Sequence, residues 1–192
     1  MKSLYIVCIM LCCTLSFSQT KNEKEERIKP SEFPEVARSH FNNISGKVKY
    51  LKFFKETDGD KQSFEAKFKY KRQHYSVEFD SLGKLEDIEI VIKEKDIPRA
   101  TLENIEKYYD EHFKKVRLIK IQKQFVNITK RTDKQFINFI LRKPNNKHTH
   151  FEIIAEIKTK KRRELRELTF DRHGNFEKSR LVTSSSYEHA LY

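Results

Sequence analysis

The chain has 192 residues, with 40 Lys or Arg against 28 Asp or Glu and a formal net charge of +12. Fifteen Phe and eight Tyr exclude a disordered chain, which would lack aromatic side chains to bury. Four glycines leave no Gly-rich loop to cradle a phosphate.

Lys2 and an apolar run over residues 4–17 begin the chain, and Ser16-Phe17-Ser18 then puts small residues at the −3 and −1 positions before Gln19. This is the pattern of a secretory signal peptide over residues 1–18, cleaved between Ser18 and Gln19. A transmembrane anchor would need about 20 apolar residues. A lipid anchor would need small side chains before its cysteine, whereas Met10 and Leu11 precede Cys12. All three cysteines (Cys8, Cys12 and Cys13) fall in this segment, so the mature fold is expected to rest on its core without disulfides. Residues 19–29 are polar and charged and read as a flexible tether.

A first unit is expected over residues 30–96. Ser31 is a candidate N-cap, and Phe33, Val36, Ala37, His40, Phe41 and Ile44 recur at helical spacing. His40 reads as a half-buried, hydrogen-bonded side chain. Strands follow over residues 48–55 and around Phe64, Ala66, Phe68 and Tyr70, which alternate with Glu65, Lys67 and Lys69. Tyr75, Val77 and Phe79 lead into Asp80-Ser81-Leu82-Gly83, and Leu85, Ile88, Ile90 and Ile92 return with a bulge near Asp87.

A second unit is expected over residues 97–182. Thr101 is a possible N-cap for a helix buried through Leu102, Ile105, Tyr109 and Phe113. Strands are predicted over residues 116–128 and 136–141, then through Phe151, Ile153, Ala155 and Ile157, and on through Leu168 and Phe170. Residues 183–192 read as a frayed tail. The turn Asp171-Arg172-His173-Gly174 repeats the earlier Asp-x-x-Gly: Asp can bond backbone ahead of it, and Gly supplies a positive φ. Pro30 to Pro98 is 68 residues and Gly83 to Gly174 is 91, so the second unit carries 23 more, placed near residues 125–150 as an extra strand and loop.

A helix, antiparallel strands and the Phe-Asp-x-x-Gly hairpin, each occurring twice behind a signal peptide, resemble the PepSY-like, β-lactamase-inhibitor-like proteins exported by Gram-negative bacteria. The resemblance is carried by Phe33-Pro34-Glu35-Val36 with Phe41, by residues 75–86, by Ile97-Pro98 with Ile105 and Tyr109, and by residues 168–177. It implies an α+β fold: a tandem repeat of a helix followed by four or five antiparallel strands, with helices packed on one side of twisted antiparallel sheet. It also implies a periplasmic protein that clamps a partner on its sheet, with no catalytic residues and no cofactor. The absence of Trp departs from the inhibitors.

No reactive constellation competes with that reading. No Cys remains after export, and no serine sits in a Gly-x-Ser-x-Gly turn. Carboxylates alternate with lysines along the strands and read as a solvated face. His148 and His150 could share one side of a strand with His173 nearby, a weak metal-ligand pattern lacking further motif support. The densest basic run comprises Lys158, Lys160, Lys161, Arg162, Arg163 and Arg166, in an expected turn. Export argues against nucleic acid as its partner. The expected function is a non-enzymatic exported module that docks a protein partner through its sheet. The alternative is electrostatic binding of anionic envelope material at residues 158–166.

Overall fold

The computed structural model describes residues 20–183, with 43, 45, 46, 146, 148 and 161 excepted. In chain order the strands are β1 (Thr20–Lys21), β2 (Glu23–Ile28), β3 (Lys49–Asp58), β4 (Lys61–Tyr70), β5 (Gln73–Asp80), β6 (Leu85–Ile92), β7 (Lys115–Val126), β8 (His150–Lys158), β9 (Arg163–Asp171) and β10 (Phe176–Val182). Helix α1 (Glu35–Ser39) precedes β3, α2 (Arg99–His112) joins β6 to β7, and α3 (Asp133–Arg142) joins β7 to β8. All ten strands share one sheet, ordered β1-β10-β9-β8-β7-β6-β5-β4-β3-β2.

The two edges of this sheet belong to one short segment. β1 pairs parallel with β10, β2 pairs antiparallel with β3, and only Asn22 separates them. Residues 20–28 therefore bridge the first and last strands of the meander and curl the sheet into a near-barrel. The bridge is reinforced where the Asn22 amide donates to Asp58 Oδ1 at 3.1 Å and Arg180 pairs with Asp58 at 3.3 Å.

This arrangement corrects the expected architecture. The chain does not build tandem helix-plus-strand units with a helical layer; it builds one sheet with three short helices. The tether is also corrected, because residues 20–28 form strands β1 and β2. The predicted strand over 136–141 lies in α3. There the Thr132 hydroxyl accepts from the Gln135 amide at 3.4 Å and Gln135 Oε1 accepts from the Thr132 amide at 3.1 Å, a reciprocal cap that starts a helix. Phe136, Ile137, Ile140 and Leu141 then bury one helical face. Thr101 sits inside α2, which begins directly after Pro98.

Two apolar clusters lie against the sheet. Ala37, Ile137 and Ile140 pack with Phe53, Phe64, Val77, Phe79 and Ile88; Ile105 and Tyr109 pack with Ile121, Phe151, Ile153, Leu168 and Phe170. Both Asp-x-x-Gly turns adopt the geometry their residues specify. Asp80 Oδ1 accepts from the amides of Leu82 and Lys84, and Asp171 Oδ1 from those of His173 and Asn175, all within 2.8–2.9 Å.

The turns also press on the helices. Gly83 has φ +81° and Gly174 φ +88°, and a Cβ on Gly174 would lie 2.4 Å from the carbonyl oxygen of Thr101. Gly174→Ala is expected to lower stability by about 2–3 kcal/mol, from backbone strain plus a backbone clash. Gly59→Ala, with a similar φ but open space around it, should lose only about 1 kcal/mol of strain. Urea denaturation of the two variants checks the contrast.

His40 stacks on Phe79 at 6.0 Å, and both its ring nitrogens are buried without a hydrogen-bond partner among the described residues. The expected hydrogen bond is thus missing, and burial holds its pKa below the usual histidine value despite nearby Asp133.

Candidate functional site: a charged lumen and its basic mouth

Closing the sheet places its polar face inside. Glu56, Glu65, Glu89, Glu152, Glu167, Ser63, Ser76, Gln122 and Thr169 are all buried. The strand alternation that reads as a solvated surface is real in period but wrong in destination. Burying carboxylates is costly unless they are paired or protonated, and this lumen uses both solutions.

Cations neutralise two of its walls. At the seam, Lys21 Nζ lies 2.8 Å from both Glu23 and Glu167, and Arg180 reaches Glu167 at 2.7 Å. Burial alone would raise Glu167, but Lys21 and Arg180 hold it down at about 2. On the β3–β4 wall, Lys67 lies 2.5 Å from Glu25 and 3.0 Å from Glu65, while the Ser76 hydroxyl donates to Glu65. Burial would raise Glu65 too, but Lys67 and then the hydrogen bonds from Glu56 and Ser76 hold it below the ordinary range. Its neighbour Glu56 is pushed up to about 12, by burial first and then by the charges of Glu65 and Glu78. The two side chains therefore share one proton.

The third wall holds no ion pair among the described residues; Lys120 lines the same cavity and offsets only part of the charge at Glu89. Glu78, Asp87 and Glu89 bring carboxylate oxygens within 4.8 Å of one another. Burial, then like charge, raises Glu78 and Glu89 well above the usual range and Asp87 to about 8, its leading neighbour being Glu152. Gln124 donates to Asp87 Oδ2 at 2.9 Å, while Asp87 Oδ1 is sealed from solvent with no hydrogen-bond partner among the described residues. Among the described residues, this triad and the set Glu25, Glu56 and Glu65 are the acidic groups spaced to hold a cation. The cavity between the walls is about 40 Å3, room for a water molecule, whose share of the liquid is about 30 Å3.

At the end where β3, β5 and β7 begin, the lumen opens into a cleft of about 840 Å3. Its character reverses from acidic to basic: Lys52, Lys69, Lys93, Lys120 and His74 line it. None of the four lysines forms an ion pair among the described residues. Two irregularities of the sheet flank the opening. The β3–β4 register skips between Lys49 and Lys52, leaving Tyr50 at φ +58° and 74% exposed. The β7–β8 register skips between Leu118 and Lys120, leaving Ile119 out of the ladder. Bulges re-aim side chains, and Tyr50 and Ile119 both line this cleft beside Phe54.

The residues singled out from sequence fall into three places. Arg162 and Arg163 line a second cleft, of about 630 Å3, that meets the mouth at Ile119. That turn is largely neutralised internally: Arg163 pairs with Glu156 at 2.8 Å, Arg166 with Glu164 at 2.8 Å, and Arg162 with Glu164. Lys158 and Lys160 are exposed. His150 and His173 line a separate cleft together with Phe125 and Thr149. There His150 Nδ1 sits 3.0 Å from Gln124 Oε1 and His150 Nε2 3.3 Å from Glu177, while the Arg172 guanidinium donates to His173 Nε2 at 2.9 Å. Ser18, Gln19, His148 and Lys161 lie outside the described residues. Sequence reasoning missed Tyr50, Lys52, Lys69, Lys93 and Lys120, because the bulges and the closure that gather them are tertiary.

No protein-family model matches the chain, and no curated protein does. Solved structures share its fold. A DUF2874 family protein from Bacteroides ovatus ATCC 8483 is 11% identical, with 77% of this chain and 86% of that one covered at a TM-score of 0.50. A protein from Bacteroides eggerthii DSM 20697 described as periplasmic is 7% identical, with 77% and 88% covered at 0.50. A BLIP-like protein from Bacteroides fragilis NCTC 9343 is 12% identical, with 78% and 86% covered at 0.47. At these identities the two likenesses at a TM-score of 0.50 are ones of fold alone. The PepSY half of the sequence resemblance has no counterpart among them. No helix among the described residues is long and apolar enough to cross a membrane.

Proposed function

We propose that the chain is a non-enzymatic, exported binding protein that docks a protein partner at the basic mouth of its sheet. The observation that carries this is the mouth cleft: about 840 Å3, with lysines that form no ion pair among the described residues beside a protruding aromatic side chain on a strained backbone. Strained, non-glycine left-handed residues persist where the surroundings enforce them, commonly at ligand clamps. The apolar face of the sheet carries the helices and its polar face lines the lumen, so docking surface is confined to clefts, and the cleft at Arg162 and Arg163 adjoins the mouth at Ile119. The signal-peptide pattern and the fold shared with a protein described as periplasmic support export. The absence of a nucleophile-and-base pattern in the sequence supports a binding role over a catalytic one.

Site-specific photo-crosslinking in the cell envelope tests this. A photoreactive side chain at Tyr50 should give protein adducts, and one at Leu82, exposed on the β5–β6 turn, should not. Equal yields from both positions, or adducts from Leu82 alone, would contradict docking at the mouth.

A further inference from the structure

We infer that the partner segment taken by the mouth is an acidic, extended peptide that inserts an apolar side chain between Tyr50 and Ile119. The inference rests on the docking reading above and names the chemistry of what docks. Three independent features converge on it. Lys52, Lys69, Lys93 and Lys120 supply four cationic groups, against Glu94 and the already paired Glu25 among the acids lining the cleft. Two separate bulges, on β3 and β7, place apolar side chains at its rim. Phe54, with Lys67 over its ring at 5.0 Å, lines the cleft beneath them.

The same geometry disfavours a flat anionic surface. Lys69 and Lys120 are half-buried within the cleft, so a bilayer face cannot reach them, whereas a narrow chain can. Charge complementarity of this kind governs the encounter and its salt dependence, and a buried apolar anchor supplies the hold.

Fluorescence anisotropy with the full mature protein tests the inference, using a short labelled peptide of glutamates around one central phenylalanine. The wild type should bind it, with affinity falling steeply as salt is raised. Replacing the phenylalanine by alanine, or making Tyr50→Ala in the protein, should each weaken binding about ten-fold. Lys52→Glu combined with Lys69→Glu should abolish binding while leaving the thermal transition in place, since neither lysine is fully buried or ion-paired.

Equal binding of a lysine-for-glutamate peptide would overturn the inference. So would binding unchanged by the lysine reversals, binding shown only by vesicles of anionic glycolipid, or no binding by any peptide. A Tyr50 crosslink to a protein, alongside failure of the acidic peptide, would reject the acidic-segment inference and leave docking at the mouth standing.

Discussion

Glu167→Ala is expected to destabilise the fold by about 3–5 kcal/mol, the loss usual when one partner leaves a buried charge pair. Glu167 is 3% exposed, and its two oxygens hold Lys21 and Arg180 at 2.7–2.9 Å. Without the carboxylate, two cations remain at the seam that closes the sheet, with only the less buried Glu23 and Asp58 of their described ion-pair partners beside them. Lys21 belongs to β1 and Arg180 to β10, so repulsion there acts on the strand pairing that bridges the edges. Adding Lys21→Met and Arg180→Leu to Glu167→Ala should recover part of the loss, because apolar replacement of buried ion pairs is often neutral, while the less buried Glu23 and Asp58 lose these two cations. Urea midpoints for the single and triple variants decide it. A loss below about 1 kcal/mol would mean that the charges are solvated, as in exposed pairs, and that the lumen is open.

The second large effect is a fall in stability as pH rises. Asp87 has its folded value raised to about 8, by burial and then by Glu152 and Glu86. A carboxyl with a raised folded value contributes stability that is fully present below its unfolded value, near 4, and is lost as pH rises through the folded one. Each pH unit of displacement is worth about 1.4 kcal/mol, so passing from about pH 5 to about pH 9 should lower stability by about 3–5 kcal/mol. Glu78, Glu89 and Glu152 are raised as well and act in the same direction. Glu167 acts oppositely: held at about 2, it stabilises above its unfolded value and loses that contribution as pH falls through about 2. The optimum therefore lies on the acid side of neutrality. Asp87→Asn should flatten the decline and leave the variant more stable than the wild type near pH 9. Melting temperatures across the range check both statements, and a wild-type melting temperature that rises from pH 5 to pH 9 would contradict them.

Much of the local structure was legible in the sequence. The Asp80 and Asp171 turns follow from Asp and Gly three residues apart, because their requirements are met within four residues of chain. The bulge in β6 was legible too, since Glu78 pairs with Asp87 while Phe79 pairs with Leu85. The misreadings share a physical cause: local period does not reveal what lies opposite. Glu65, Lys67, Glu78 and Glu89 alternate as they would on a wet face, and only closure of the sheet makes that face a lumen. Residues 23–28 look like a tether because their charges have no visible partners in sequence; β3 and Lys67 supply them. Phe136 to Leu141 is a short apolar run compatible with strand or helix, and Thr132 with Gln135 was the capping signal that favoured helix.

The site was less legible than the fold. The basic turn at residues 158–166 stood out by density, yet Glu156 and Glu164 engage its arginines. Lys52, Lys69, Lys93 and Lys120 are scattered over four segments and converge only at the mouth. The residues that best support binding are thus ones whose local sequence is unremarkable.

Carboxyl labelling with a carbodiimide, read by mass spectrometry, tests the closed, charged lumen most directly. Glu35, Glu103 and Glu106 are exposed and should label rapidly in the native protein. Glu56, Glu65, Glu89, Glu152 and Glu167, all at 8% exposure or less, should label only after unfolding. Native labelling of these five at the rate of the exposed glutamates would show an open sheet with a solvated polar face, and would contradict the account.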